Sequence, residues 1–389
     1  MNLAAAAPGP TPSPAAVASR PARLVSLDAF RGLTMAGMVL VNNPGTWSAV
    51  YAPLLHAEWH GWTPTDLIFP FFLFIVGVSA TLSKGTAGPW GRILRRTAVI
   101  AGLGLLLAGF PRFPFATWRI PGVLQRIALC YLAAVAIYRW LTPRDRSRAL
   151  AHGMRLGGTA AALLLAYWAI LALVPVPGGG AGNLTPEGNV GAFVDRALMG
   201  QHLWQRRPWD PEGLLSTLPA IGTTLLGMIA GLWLGSAANP SRKVHLLVRA
   251  GLVGIIVGLA WGIVFPINKN LWTSSYVMFS GGAAAIVFAA CYWFIDVRGW
   301  KAWSRPFVIL GLNAITLYVA SGLLTKVLLA VKVTGPDGTQ TSLYNDLYQT
   351  LFVPLAAPKN ASLLFAMSHL AVLFGLCYVL YRKRIFLKA

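Results

Sequence analysis

The chain has 389 residues, 56% of them hydrophobic and only 11% charged, with a mean hydropathy of +0.62. Water-soluble domains carry about 25% charged residues, so this balance argues against a soluble globular protein. The net charge of +21 would suggest nucleic-acid binding in a soluble chain, but the basic residues lie between apolar blocks, where membrane proteins keep them, and nucleic acid is set aside as a partner.

Residues 1–22, rich in Ala and Pro, lack a basic n-region and an apolar h-region. They are expected to form a flexible tail rather than a signal peptide. Apolar blocks then follow at 24–43, 66–83, 93–110, 122–141, 156–175, 214–235, 246–266, 271–295, 306–331 and 363–381. Each approaches or reaches the ~20 residues that carry a helix across a ~30 Å hydrocarbon core. The runs are too continuously apolar for barrel strands. The sequence therefore predicts an all-α fold: a polytopic membrane helix bundle of about ten transmembrane helices, in one domain over residues 23–389. The outer loops fall near 42–66, 176–213 and 332–360.

Lys and Arg placement sets the expected orientation. With a cytoplasmic N-terminus, most of the 32 basic residues fall inside. These are Arg20, Arg23 and Arg31; Lys84, Arg92, Arg95 and Arg96; Arg139, Arg144, Arg146, Arg148 and Arg155; Arg242, Lys243 and Arg249; Arg298, Lys301 and Arg305; and Arg382, Lys383, Arg384 and Lys388. Both termini are predicted to be cytoplasmic, with the chain integral to a membrane. Cys130, Cys291 and Cys377 fall within spans, too far apart for a disulfide framework or a zinc site; they read as small buried hydrophobes, and no metal is expected.

Chemistry is sought where polar groups lie at membrane depth, since ionisable residues are costly there. The first cluster is Ser26-Leu-Asp28-Ala-Phe-Arg31-Gly32, where Asp28 and Arg31 share a helical face. It fits an interfacial ion pair or a polar lining for phosphate. The second runs from Asn42 and Asn43 through His56, Glu58, Trp59, His60 and Trp62 to Asp66. Thr63-Pro64-Thr65-Asp66 fits a helix start with Asp66 reaching back from the third position. An ordinary histidine, with a pKa near ~6.5, exchanges a proton near neutrality, so His56 and His60 are either solvated loop residues or proton carriers. The third cluster comprises Arg119, Gln125 and Arg126, then Asp210-Pro-Glu212-Gly213, then Asn268-Lys269-Asn270. Asn313, Lys326 and His369 add polar positions within later helices, for which interhelical hydrogen bonds are the ordinary reading of Asn313 and His369.

Six ordered stretches carry a resemblance to a known family: RLVSLDAFRGLTMAGMVLVN, HAEWHGWTPTDLIFPFFLFIVG, RIPGVLQRIALCY, DPEGLLSTLPAIGTTLLGMIAG, FPINKNLWTSSYV and LGLNAITLYV. At these residues the chain resembles the heparan-alpha-glucosaminide N-acetyltransferase family and its bacterial relatives within the transmembrane acyltransferases. The resemblance implies transfer of an acetyl group from cytoplasmic acetyl-CoA to an amine or hydroxyl of a sugar or glycan outside. It places the active-site histidine on His56 rather than His60, the partner asparagine on Asn42 and the acidic residue on Asp66. Arg31, Arg119, Gln125 and Arg126 become the expected contacts of acetyl-CoA, since an arginine fork pairs with phosphate. The expected partners are acetyl-CoA, the acceptor and the bilayer, and a homodimer is compatible with them. Two departures concern the acceptor: a longer interval between Asn42 and His56 than in the animal enzymes, and no large lumenal domain before the first helix. A transporter or flippase of a glycan or small anionic solute is the rival reading. No G-x-S-x-G, H-x-x-x-x-D, Walker A or HExxH pattern occurs.

Overall fold

A long apolar run in lipid satisfies its backbone only by coiling, and each of the ten expected blocks is helical. The computed structural model describes residues 24–82, 86, 88–141, 149–334, 338 and 340–387. The expected tail and Arg20, Arg23, Lys84, Arg144, Arg146, Arg148 and Lys388 lie outside them. In chain order the α-helices are α1 Val25–Asn42, α2 Ile68–Leu82, α3 Trp90–Gly109, α4 Val123–Leu141, α5 Ala149–Leu173, α6 Val190–Met199, α7 Thr217–Leu234, α8 Pro240–Gly262 and α9 Ser274–Cys291. After α9, which runs on as a π-turn over Tyr292–Val297, come α10 Arg305–Leu312, α11 Ala314–Ala330, α12 Leu343–Leu347 and α13 Pro358–Arg382. A small antiparallel hairpin, β1 Lys332–Thr334 with β2 Gln340–Ser342, precedes α12.

Among the described residues, seven helices are long and apolar enough to cross a membrane, or eight if one bent pair counts as a single span. That pair is α10 and α11, bent by 80°. Asn313 sits at the break. Its Nδ2 donates to Ile385 O at 3.2 Å and its Oδ1 accepts the Leu387 N–H at 3.0 Å, so it ties down the C-terminal segment rather than bridging helices. The helices α1 and α3 are not among the seven. Both carry charge: Asp28 and Arg31 in α1, and Arg92, Arg95 and Arg96 at the start of α3.

The interior is built by α2, α7 and α9, while α5, α8 and α13 lie outside them. On α8, Gly251, Gly254 and Gly258 are buried against Phe279, Gly282 and Ile286 of α9, and Val253, Ile256 and Leu259 face outward. Small residues inward and large apolar ones outward suit a helix bathed in lipid. Cys130, Cys291 and Cys377 are all buried and free.

The placement of α1 decides the site. Asp296 accepts its first N–H groups, Val25 at 3.2 Å and Ser26 at 3.1 Å. Gly32 and Gly311 let α1 touch α10: a Cβ on Gly32 would overlap the Phe307 carbonyl, and one on Gly311 the Asp28 carbonyl. At the other end, Asn43 Nδ2 donates to Val39 O at 2.8 Å, and Thr325 Oγ1 of α11 donates to Asn43 Oδ1 at 2.5 Å. Gly311→Val is expected to lower stability by at least ~2 kcal/mol, because overpacking costs ~1–3 kcal/mol and here meets backbone rather than a yielding side chain. Thermal unfolding in detergent checks this, and an unchanged midpoint would mean that α1 and α10 do not meet this closely.

Candidate active site

The loop between α1 and α2 folds around one carboxylate. The run Thr63-Pro64-Thr65-Asp66 begins a 3-10 turn, Pro64–Leu67, that leads into α2. Asp66 Oδ2 accepts the N–H of Thr63 at 2.9 Å and of Ala57 at 3.0 Å, so the expected helix-start role is realised. Its Oδ1 lies 2.6 Å from His56 Nδ1. Asp66 is 1% exposed and the His56 side chain 44%, so the carboxylate is structural and the ring is presented. With Nδ1–H bonded to the carboxylate, Nε2 keeps the free lone pair.

Other elements brace the loop. Tyr276 of α9 donates to Asp66 O at 2.5 Å, Trp59 Nε1 to Leu184 O at 2.8 Å, and Gly61 N–H to Ile267 O at 2.7 Å. His60 is distinct from His56: its Nδ1 lies 3.4 Å from Asn268 Nδ2, and burial lowers its pKa. Sequence reasoning left Lys269 unassigned. Its Nζ stands 3.3 and 3.4 Å from Nδ1 and Nε2 of His56 and 4.0 Å from Asp66 Oδ1. Burial pushes its pKa down, against the pull of Glu212 and Asp66.

His56, Lys269, Asn42 and Glu212 line one cavity of about 110 Å³. Its other walls are mostly apolar, including Met35, Met38, Ile68, Phe69, Phe72 and Ile127. It follows α1 from Thr34 to Asn42, about 12 Å at 1.5 Å per residue. Arg31 stands one turn below Thr34, bonded to Asp28 at 3.1 Å and Ser79 Oγ at 2.8 Å.

A second cavity meets the first at Met38, Asn42, Val123, Leu124 and Tyr318, and is also lined by Arg119, Gln125 and Lys326. Arg119 reaches Asp210 at 3.0 and 2.6 Å and Glu212 at 2.5 Å. Burial alone would lower its pKa, and the two carboxylates raise it instead. Lys326 donates to the carbonyl of Phe110 at 2.8 Å. The structure thus brings Arg119 and Gln125 together but separates them from Arg31, about 16 Å from Asn42 along α1. Arg126 lines neither cavity. It is 1% exposed, donates to Gly213 O at 2.9 Å and to Ser216 Oγ, and lies 5.1 Å over the Trp272 ring.

Residues 23–172 match the family model for heparan-alpha-glucosaminide N-acetyltransferase, catalytic. The heparan-alpha-glucosaminide N-acetyltransferase of Mus musculus is 31% identical over 353 residues, covering 76% of this chain and 53% of the mouse protein. That of Homo sapiens is 30% identical over 357 residues, covering 77% of this chain and 52% of its own length. The chain belongs to this family. It spans about half the length of the curated relatives it matches. The family match contains Asn42, His56, Asp66 and the four candidate donor contacts; Lys269, Asp210, Glu212 and Lys326 lie beyond it.

For Arg126→Ala the buried bonds to Gly213 and Ser216 predict a loss of about 2 kcal/mol or more of stability. Affinity for acetyl-CoA in the remaining folded protein should change little. Thermal unfolding and donor binding, measured together, check this; a selective loss of binding would return Arg126 to the ligand site.

Proposed function

We propose that the protein is a transmembrane acetyltransferase that moves the acetyl group of acetyl-CoA to an amine or hydroxyl of a sugar or glycan across the membrane. The observation that carries this reading is the Asp66–His56 pair, with the imidazole presented to a cavity shared with Asn42. A buried carboxylate fixes the ring and its tautomer, which is how a histidine is set up to accept a proton or to attack. A transporter would need a polar path but has no use for an imidazole held in this way.

His56 works by one of two routes. As a general base, Nε2 takes the acceptor proton while the acceptor attacks the thioester, an effect worth ~100 to 10,000-fold. As a nucleophile, Nε2 takes the acetyl group first, with ping-pong kinetics. Asn42 donates to the developing oxyanion. The apolar channel beside α1 suits the pantetheine arm, with Arg31 at its inner end for phosphate. Since Asp210 and Glu212 already hold the Arg119 fork, the second cavity, with Gln125 and Lys326, is assigned to the acceptor.

This reading carries the ten-span topology, both termini in the cytoplasm and His56 on the outer side of an inner membrane. A reporter fused after Lys388 and one inserted near Arg146 should then both report the cytoplasm, and one near Asn189 the outside. An exported C-terminus would overturn the orientation.

The central test compares two imidazoles four residues apart. His56→Ala is expected to reduce acetyl transfer at least ~100-fold, and His60→Ala to do much less, with unfolding temperature and acetyl-CoA binding measured alongside. Near-normal transfer by His56→Ala would remove it from the chemistry.

A further inference from the structure

Lys269 sits on the turn between α8 and α9, and that turn is tightly determined. Asn268 Oδ1 accepts the Leu271 N–H at 2.8 Å, and the Trp272 N–H donates to Lys269 O at 3.1 Å. Thr273 Oγ1 accepts the Asn268 N–H at 3.0 Å and donates to Pro266 O at 2.9 Å. Trp272 adopts a φ of 53°, which a non-glycine residue keeps only when its surroundings enforce it. Here the enforcement comes from Thr223 Oγ1 on the indole N–H at 3.2 Å and from edge contacts with Phe69 and Tyr276. The packing therefore fixes where the Lys269 side chain begins.

Its ammonium end is placed with equal definition. Nζ is nearly equidistant from the two ring nitrogens of His56, at 3.3 and 3.4 Å. A point in the ring plane at those distances would overlap the carbon between them. The ammonium therefore lies over the ring, off the Nε2 lone pair, while Nδ1 is engaged by Asp66. Among the described residues no backbone carbonyl or carboxylate lies within hydrogen-bond distance of Nζ; the Asp66 oxygen is at 4.0 Å. Lys269 lines the cavity together with His56 and Asn42.

We propose that Lys269 is a catalytic residue that donates to the acetyl carbonyl oxygen and stabilises the oxyanion, as a second donor beside Asn42. The inference rests on the reading of His56 as the acyl-transfer centre. When Nε2 bonds to the acetyl carbon, the C=O π pair moves onto the oxygen, which is one bond further out and beside Nζ. When the C=O re-forms, the C–S bond breaks and its electron pair leaves with the CoA thiolate, the Nδ1 proton staying between His56 and Asp66. If the acceptor attacks directly, its proton passes to Nε2 and then to the thiolate, and the same oxygen carries the charge. A fixed cation in a partly desolvated cavity stabilises that charge more than water does.

The test uses the full-length protein, acetyl-CoA and an amino-sugar acceptor. Lys269→Met is expected to lower kcat ~100-fold, the scale of losing one oxyanion donor, with acetyl-CoA affinity within about threefold of wild type. Ethylammonium in the buffer should restore part of the rate, and Lys269→Arg should retain more than Lys269→Met. Independently of turnover, the infrared C=O stretch of 13C-acetyl-CoA bound to His56→Ala should move to higher frequency when Lys269→Met is added. Lys269→Gln carries the same measurements if Lys269→Met folds poorly. A retained kcat, an unmoved carbonyl frequency, or a loss that neither ethylammonium nor arginine relieves overturns the proposal. Wild-type protein that binds acetyl-CoA without transferring it would sink the acyltransferase reading instead, leaving the carbonyl frequency to decide the contact. Wild-type protein that does not bind acetyl-CoA would end both.

Discussion

Asp66 Oδ2 holds the backbone of Ala57 and Thr63, while Oδ1 holds the imidazole of His56. A buried carboxylate is costly unless its lone pairs are used, so the chain from His56 to Asp66 has little choice but to close around it. The same contacts start α2 and orient the ring, so helix initiation and ring placement are one event. Tyr276 then fixes the Asp66 carbonyl to α9. The turn that precedes α9 delivers Lys269 over the ring, so both partners of His56 are registered against a single helix.

The bundle that carries this loop is shaped by the solvent around it. Lipid gives apolar helices no reason to associate through hydrophobicity, and close contact between small residues has to do so. Gly32 against Gly311 is the instance that shapes the candidate site, because it sets the line of α1. The cavity follows that line, bounded by Met35 and Met38 on one side and by α2 and α4 on the other. Asn43, bonded to Val39 and Thr325, stops the helix where Asn42 faces both cavities.

The three arginines grouped by sequence have three different environments. Arg31 pairs with Asp28 on the flank of α1 and reaches Ser79 of α2. Arg119 is held between two carboxylates at the edge of the second cavity. Arg126 turns inward to Gly213, Ser216 and Trp272, one residue from Gln125, which faces the second cavity. Adjacent positions on a helix point about 100° apart, and here that rotation separates a residue facing a cavity from one that braces the core.

Composition and apolar runs determined the helical, membrane-embedded class, because hydrocarbon leaves a spanning chain no other way to satisfy its backbone. The short range of the Thr63–Asp66 cap made the start of α2 legible as well, and the ordered motifs singled out His56, Asn42 and Asp66. Contacts between distant parts of the chain were decided only by the tertiary structure. Asp296 capping α1, the break at Asn313 that bends the ninth block by 80°, the inward turn of Arg126 and the arrival of Lys269 over His56 leave no periodic or local trace. Sequence spacing reports which residues share a helix face, whereas the partner across a cavity is set by how separate helices pack, and that packing depends on backbone approach and desolvation rather than on any neighbour in the chain.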